Sequence, residues 1–205
     1  DSIRGKGSFE KAVNAIRTLR DDKIKTMIQV VLNKKNLSQL EPIIALAEKY
    51  DCLVQFQPVT VHKSDVKGNA MKYFPNKDEL NKTVDWLVCQ KKNSRPITNS
   101  IEYLNQLREY PENKIKTDCL AGKLFCAISP DGKVLPCCGL VGQEKNYASG
   151  LDIGFREAFN QLQDTKNCKG CHFAGYSELN LVLARPVKSF FIAVKNIVNK
   201  KWVWQ

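Results

Sequence analysis

Six of the chain's eight cysteines fall between positions 119 and 171: Cys119, Cys126, Cys137, Cys138, Cys168 and Cys171. Only Cys52 and Cys89 stand outside that stretch. The turn Cys168-x-x-Cys171 would deliver two thiolates from one loop. The other spacing is Cys119-x12-Gly132-x4-Cys137. Residues 124–135 between those two cysteines read as a β-hairpin, two apolar runs around Pro130-Asp131-Gly132. A hairpin brings its ends together, so Cys119 and Cys137 can meet. Four converging thiolates are what an iron–sulfur cluster or a structural zinc needs. Zinc ribbons usually pair two short knuckles, and this sequence has one, which favours a cluster. The plainer alternatives are a disulfide, or two buried cysteines beside a chance Cys-x-x-Cys turn. Cys126 falls within a predicted strand and reads as a small buried hydrophobe. Cys138 adjoins a candidate ligand and could stand in for it. His172 follows Cys171 directly, and could replace a cysteine ligand or shield the site; the other histidine is His62.

The elements that must position these residues begin with an α/β pattern. Ser8 can cap a helix with Phe9, Ala12, Val13, Ile16 and Leu19 at helical spacing. Residues 24–32 form a β-branched run suited to a buried strand. Asn36 can cap a second helix carrying Leu37, Leu40, Ile43, Ile44 and Ala47. A second strand follows, with Cys52, Val54 and Phe56 alternating with Leu53, Gln55 and Gln57 before Pro58. Helix, strand, helix, strand with short links predicts a parallel sheet with right-handed crossovers. Two parallel strands alone would leave bare edges, so further strands or a covering partner are expected. Residues 59–75 are polar without a clear period. Asn76 with Glu79, and Asn99 with Glu102, have capping-box spacing for two more helices. Beyond the hairpin, residues 152–162 read as a short helix with Phe155, Ala158, Phe159 and Leu162 as its apolar stripe. From Val187 a basic amphipathic helix is predicted, closing on Trp202 and Trp204.

Composition narrows the function classes. The chain has 205 residues, 43% of them hydrophobic and 26% charged, a globular balance with a net charge of +11. No apolar run reaches the ~18 residues a spanning helix needs, and no basic-then-apolar leader opens the sequence, so a cytoplasmic protein is expected. The positive charge suits an acidic partner or a lysine-rich surface. No aromatic-interleaved basic strand appears, so nucleic acid is not favoured. The basic tail makes an association at the membrane periphery one reading, and packing on its own domain another.

The run Cys119 … Pro130-Asp131-Gly132-Lys133-Val134-Leu135-Pro136-Cys137 … Cys168-x-x-Cys171 resembles the auxiliary-cluster region of radical S-adenosylmethionine (SAM) enzymes of the SPASM/twitch type. The Gly-x4-Cys step is that family's signature. One such set, with no cysteine after Cys171, is more similar to the shorter, one-cluster twitch form. The opening run 1–9 resembles the loop after the fourth strand of that family's partial (β/α)6 barrel. The resemblance implies the C-terminal part of the barrel with its linking helices at 1–112, a small cysteine-rich α+β domain at 113–185, and the amphipathic helix at 186–205. It implies an auxiliary [4Fe–4S] cluster on Cys119, Cys137, Cys168 and Cys171, with zinc as the alternative. Four cysteine ligands leave no iron open to substrate, which points to electron transfer or structure.

The family's defining Cys-x-x-x-Cys-x-x-Cys motif, which holds the SAM-cleaving cluster, is absent from these 205 residues. The expectation is therefore the C-terminal portion of a longer enzyme. That enzyme would use SAM, a second [4Fe–4S] cluster and a reductant such as flavodoxin or ferredoxin to make a 5′-deoxyadenosyl radical. Its substrate would be a small molecule, a peptide or a lipid-linked compound. Arg4 matches the family position whose guanidinium meets the SAM carboxylate. Asn33, Gln55 and Gln57, near the C-terminal ends of the predicted parallel strands, are candidates for SAM or substrate contact. The competing readings are a zinc-stabilised binding module and a stand-alone iron–sulfur electron carrier.

Overall fold

Two short β-branched and aromatic runs pair side by side to make the sheet of the first half. In the computed structural model, which describes residues 1–60, 69–112, 119–140, 142–162 and 172–184, strand β1 (Met27–Leu32) lies parallel to β2 (Leu53–Pro58). Their register runs from Met27 opposite Leu53 to Leu32 opposite Pro58. Helices α1 (Ser8–Asp21) and α2 (Leu40–Lys49) precede the two strands. The mixed α/β class expected from the sequence is present. On β1 only Val30 and Leu32 are buried, while Met27 and Val31 are exposed. The expected two-sided burial of β1 is therefore corrected. Its inward residues join Val54 and Phe56 of β2, α2 and α3 (Lys77–Lys92) in one core. The other face is open along Met27, Gln29 and Val31, half-buried at Leu53 and Gln55 and covered at Gln57 among the described residues.

The edges are treated differently. On the outer edge of β2, Val54 N–H donates to Pro96 O at 2.8 Å and Thr98 N–H returns to Val54 O at 2.8 Å. The side chain of Asn99 continues this ladder, accepting from Phe56 N–H (2.7 Å) and donating to Phe56 O (3.0 Å). A buried amide thus copies a peptide group and leaves no orphan on Phe56. The opposite edge of β1 is paired with no strand among the described residues.

Several expected caps are corrected by the same logic. Asn99 belongs to the sheet, and Ser100 caps α4 (Ile101–Gln106) by accepting from Tyr103 N–H. Asn36 closes a loop instead of capping, accepting from Asn33 N–H and donating to Val31 O. Ser8 is the first residue of α1, and the Asp1 carboxylate takes the N–H groups of Gly7 and Phe9. Phe9, expected on the buried face of that helix, is exposed. Asn76 caps α3 as expected, its Oδ1 accepting from Glu79 N–H at 2.8 Å.

The second half contains the expected hairpin, with strands of two residues. Strand β3 (Ala127–Ile128) runs antiparallel to β4 (Val134–Leu135). Gly132 has φ +81°, and a Cβ there would lie 2.5 Å from Leu151 Cγ, so the turn wants glycine twice over. The helix expected over 152–162 is two short ones, α5 (Gly150–Ile153) and α6 (Phe155–Asn160), separated by Gly154 at φ +88°. Sequence periodicity gave no warning of α7 (Ala174–Ala184). The predicted helix from Val187 lies outside the described residues, as do Cys168, Cys171 and His62. No helix among the described residues is long and apolar enough to cross a membrane.

Candidate metal centre

Helix α7 holds the two halves together and carries polar partners of the cysteine segments. Its lead-in is fixed to the sheet half, where Tyr103 Oη donates to His172 O at 2.6 Å and Ala174 N–H donates to Gln57 Oε1 at 3.3 Å. One turn on, Glu178 Oε1 accepts from Ser100 N–H at 2.7 Å. From the same helix, Asn180 and Tyr176 reach the cysteine half.

Asn180 Oδ1 accepts from Leu120 N–H at 3.0 Å, while its Nδ2 donates to Cys119 Sγ at 3.6 Å. The first bond fixes the orientation of the amide, because a flipped group would set N–H against N–H. Tyr176 Oη accepts from Cys138 N–H at 3.3 Å, beside Cys137. Its ring stacks on Phe125 with centroids 4.9 Å apart and leans on Phe173 at 5.3 Å. Residues 176 and 180 are four apart and so lie one above the other on a helix face, about 5–6 Å between Cβ atoms. The segments carrying Cys119 and Cys137 are thus held on successive turns of one face.

Burial sets the electrostatics around them. It pushes the Tyr176 hydroxyl up to about 12, keeping it neutral. Tyr147 is raised by burial first and by neighbouring Cys137 second. The Cys126 and Cys138 thiols are raised by burial, the latter against a lowering hydrogen bond from Tyr176. His172 is buried, its ring edge-on to Tyr110 at 5.3 Å, and burial lowers its pKa to about 4. It is a neutral ring set into the core boundary.

Cys119 and Cys137 are the two expected ligands that lie within the described residues. Two half-buried sulfurs are carried on one platform, and one of them receives an amide N–H, the outer contact that supports thiolate charge. Among the described residues no three cysteine, histidine or acidic side chains converge.

The expected SAM-side residues are divided. Gln55 and Gln57 share one face of the sheet, opposite Gln29 and Val31. Gln57 is buried, with its Oε1 engaged by α7. Asn33 is also buried, and its amide serves the loop, donating to Val31 O and accepting from Lys35 N–H. Arg4 is exposed in the opening loop, next to the Gly5 N–H bond to Asp1 O. Sequence reasoning missed Tyr176 and Asn180. Their signal was a buried stripe at helical spacing, Ala174, Ser177 and Leu181, two of the three small or polar.

Comparison with known proteins adds a direction. The chain is 28% identical over 188 residues to mycofactocin maturase MftC of Mycolicibacterium smegmatis, covering 86% of this chain and 46% of the relative. It is 27% identical over 187 residues to the mycofactocin maturase MftC of Mycobacterium tuberculosis (86% and 46%) and to that of Mycobacterium ulcerans (86% and 49%). The chain spans about half the length of the relatives it matches. No family model matches, and no solved structure matches significantly. The resemblance to radical-SAM enzymes stands: the chain is similar to these maturases, which are enzymes.

Proposed function

We propose that the chain is the C-terminal portion of a radical-SAM enzyme, with the end of a partial (β/α)6 barrel at 1–112 and a SPASM/twitch-type domain at 113–185. In this reading Cys119, Cys137, Cys168 and Cys171 hold an auxiliary [4Fe–4S] cluster. The observation that carries it is the placing of Cys119 and Cys137 against successive turns of α7. Cys168-x-x-Cys171 ends one residue before His172, whose carbonyl is tied to Tyr103.

The unpaired edge of β1 supports the barrel reading, since a parallel strand beside it would satisfy the backbone groups of Met27 and Gln29. The open face with Gln29 and Gln55 then looks into the barrel, where their amides would offer donors and acceptors to SAM or substrate, while Gln57, its Oε1 taken by Ala174 N–H, would have only its Nε2 to offer. Arg4 would meet the SAM carboxylate as a planar fork. Asn33 would act through the loop it closes. When bound, a cluster of this type supplies a one-electron acceptor or donor near the substrate. The chain's own part is to hold that group at fixed distance from the open face: Gln57, Ser100 and Tyr103 grip one side of α7, and the cysteine half grips the other. Phe125 and Phe173, stacked about Tyr176, keep water from that side. The maturase names of the relatives favour a peptide among the substrate classes; flavodoxin or ferredoxin as reductant follows from the family resemblance alone.

The test is iron, sulfide and zinc content of anaerobically prepared protein. About four irons and four sulfides per chain, lost when Cys168→Ala and Cys171→Ala are combined, are expected. One zinc without sulfide, persisting after reconstitution with iron and sulfide, would overturn the cluster.

A further inference from the structure

We infer that Asn180 is a positioning residue for the auxiliary cluster, setting its reduction potential through the hydrogen bond to the Cys119 sulfur. The inference rests on the cluster reading above, but it concerns a residue that no cysteine motif contains. Asn180 is buried, with 5% of its surface exposed, and both ends of its amide are used. The Leu120 N–H bond locks the amide, so that Nδ2 must face the neighbouring sulfur. An N–H aimed at a ligand sulfur stabilises the added electron of the reduced state more than the oxidised state. Hydrogen bonds to the sulfurs are among the levers that tune such clusters. The same helix also grips the sheet half through Glu178 and through Ala174 N–H. The donor is therefore set on a rigid element, where its distance to sulfur is held.

Two substitutions separate this from simple packing. Asn180→Leu is neutral and similar in size, and removes both bonds. Asn180→Asp keeps an acceptor for Leu120 N–H, removes the donor and adds a negative charge. The experiment compares wild type and both variants of the 205-residue chain after anaerobic reconstitution. Iron and sulfide are counted first, and the midpoint potential follows from a titration monitored by electron paramagnetic resonance. The expected order of potentials is wild type above Asn180→Leu above Asn180→Asp. The first step should be about tenfold in the reduction equilibrium, or about 59 mV for a one-electron couple. Full iron with unchanged potential in Asn180→Leu would overturn the inference. If the variants lose the cluster, an unchanged melting temperature of the metal-free protein supports positioning. A lowered one makes Asn180 merely structural and overturns it. A wild-type chain that takes up no iron and sulfide overturns the cluster reading itself, and the inference falls with it.

Discussion

The sheet half and the cysteine half are built on different principles. In the sheet half, Phe56, Val54, Ile44, Leu87 and Leu104 are fully buried around one core. Its irregular backbone is satisfied by buried amides such as Asn99. Among its described residues the cysteine half has two strands of two residues, and few buried apolar side chains: Ala121, Val134, Leu135 and Ala158. Leu124, Ile128, Leu151 and Phe155 are exposed among its described residues. A region of that kind gains little from hydrophobic burial, and regions with too small a core often draw folding energy from a metal. Order in the first half comes from a core; in the second it rests on one helix and, in the cluster reading, on bound thiolates.

The sheet half should fail when its core is opened. Phe56→Ala removes a fully buried ring from the centre of the core. It should cost about 3–5 kcal/mol, read as a lower urea midpoint by far-ultraviolet circular dichroism. Stripping iron with a chelator should leave the midpoint of the sheet half close to that of untreated protein. An equal loss from chelation would mean that the two halves share one source of stability.

A smaller effect belongs to the second half. Gly132→Ala must hold φ +81° and meets Leu151 Cγ at 2.5 Å. Left-handed strain alone costs about 1–2 kcal/mol. The hairpin that spaces Cys119 from Cys137 should loosen, lowering iron retention against a chelator while the urea midpoint of the sheet half stays put. Unchanged iron retention would show that the turn does not position the thiolates.

What could be read from sequence follows the same division. β2 was legible because Val54 and Phe56 alternate with polar residues under a simple two-residue period. The hairpin was legible because Pro130-Asp131-Gly132 carries its own turn chemistry. Asn76 capped as its spacing implied, whereas Asn36 and Asn99 did not. The Asn36 amide turns back to Val31 and Asn33 in its own loop, and that of Asn99 bonds to backbone 43 residues away. A one-dimensional rule cannot distinguish these uses of one side chain. α7 escaped for a related reason. Ser177 and Asn180 are buried polar residues, so its inward stripe does not look hydrophobic, and no side-chain cap announces its start. The cysteines were visible, and the helix that gathers two of them was not.

The joint between the halves offers the finest test, because Glu178 lies on it. Its carboxylate accepts from Ser100 N–H, and burial raises its pKa, while the Ser100 bonds and Lys91 pull the other way. A carboxyl with a folded-state pKa above its unfolded value favours the protonated fold. Its stabilising share is present below the unfolded pKa and is lost as pH rises through the folded one. Glu178→Gln keeps an oxygen for Ser100 N–H and removes the charge. The variant should therefore melt higher than wild type at pH 7, by about 2 °C. The gap should close as pH falls below the usual carboxylate range, where both side chains are neutral. A gap independent of pH would mean that the carboxylate is not strained by burial. A variant melting lower at pH 7 would mean that attraction to Lys91 outweighs the cost of burying the charge, and that α7 is clamped to the sheet half electrostatically.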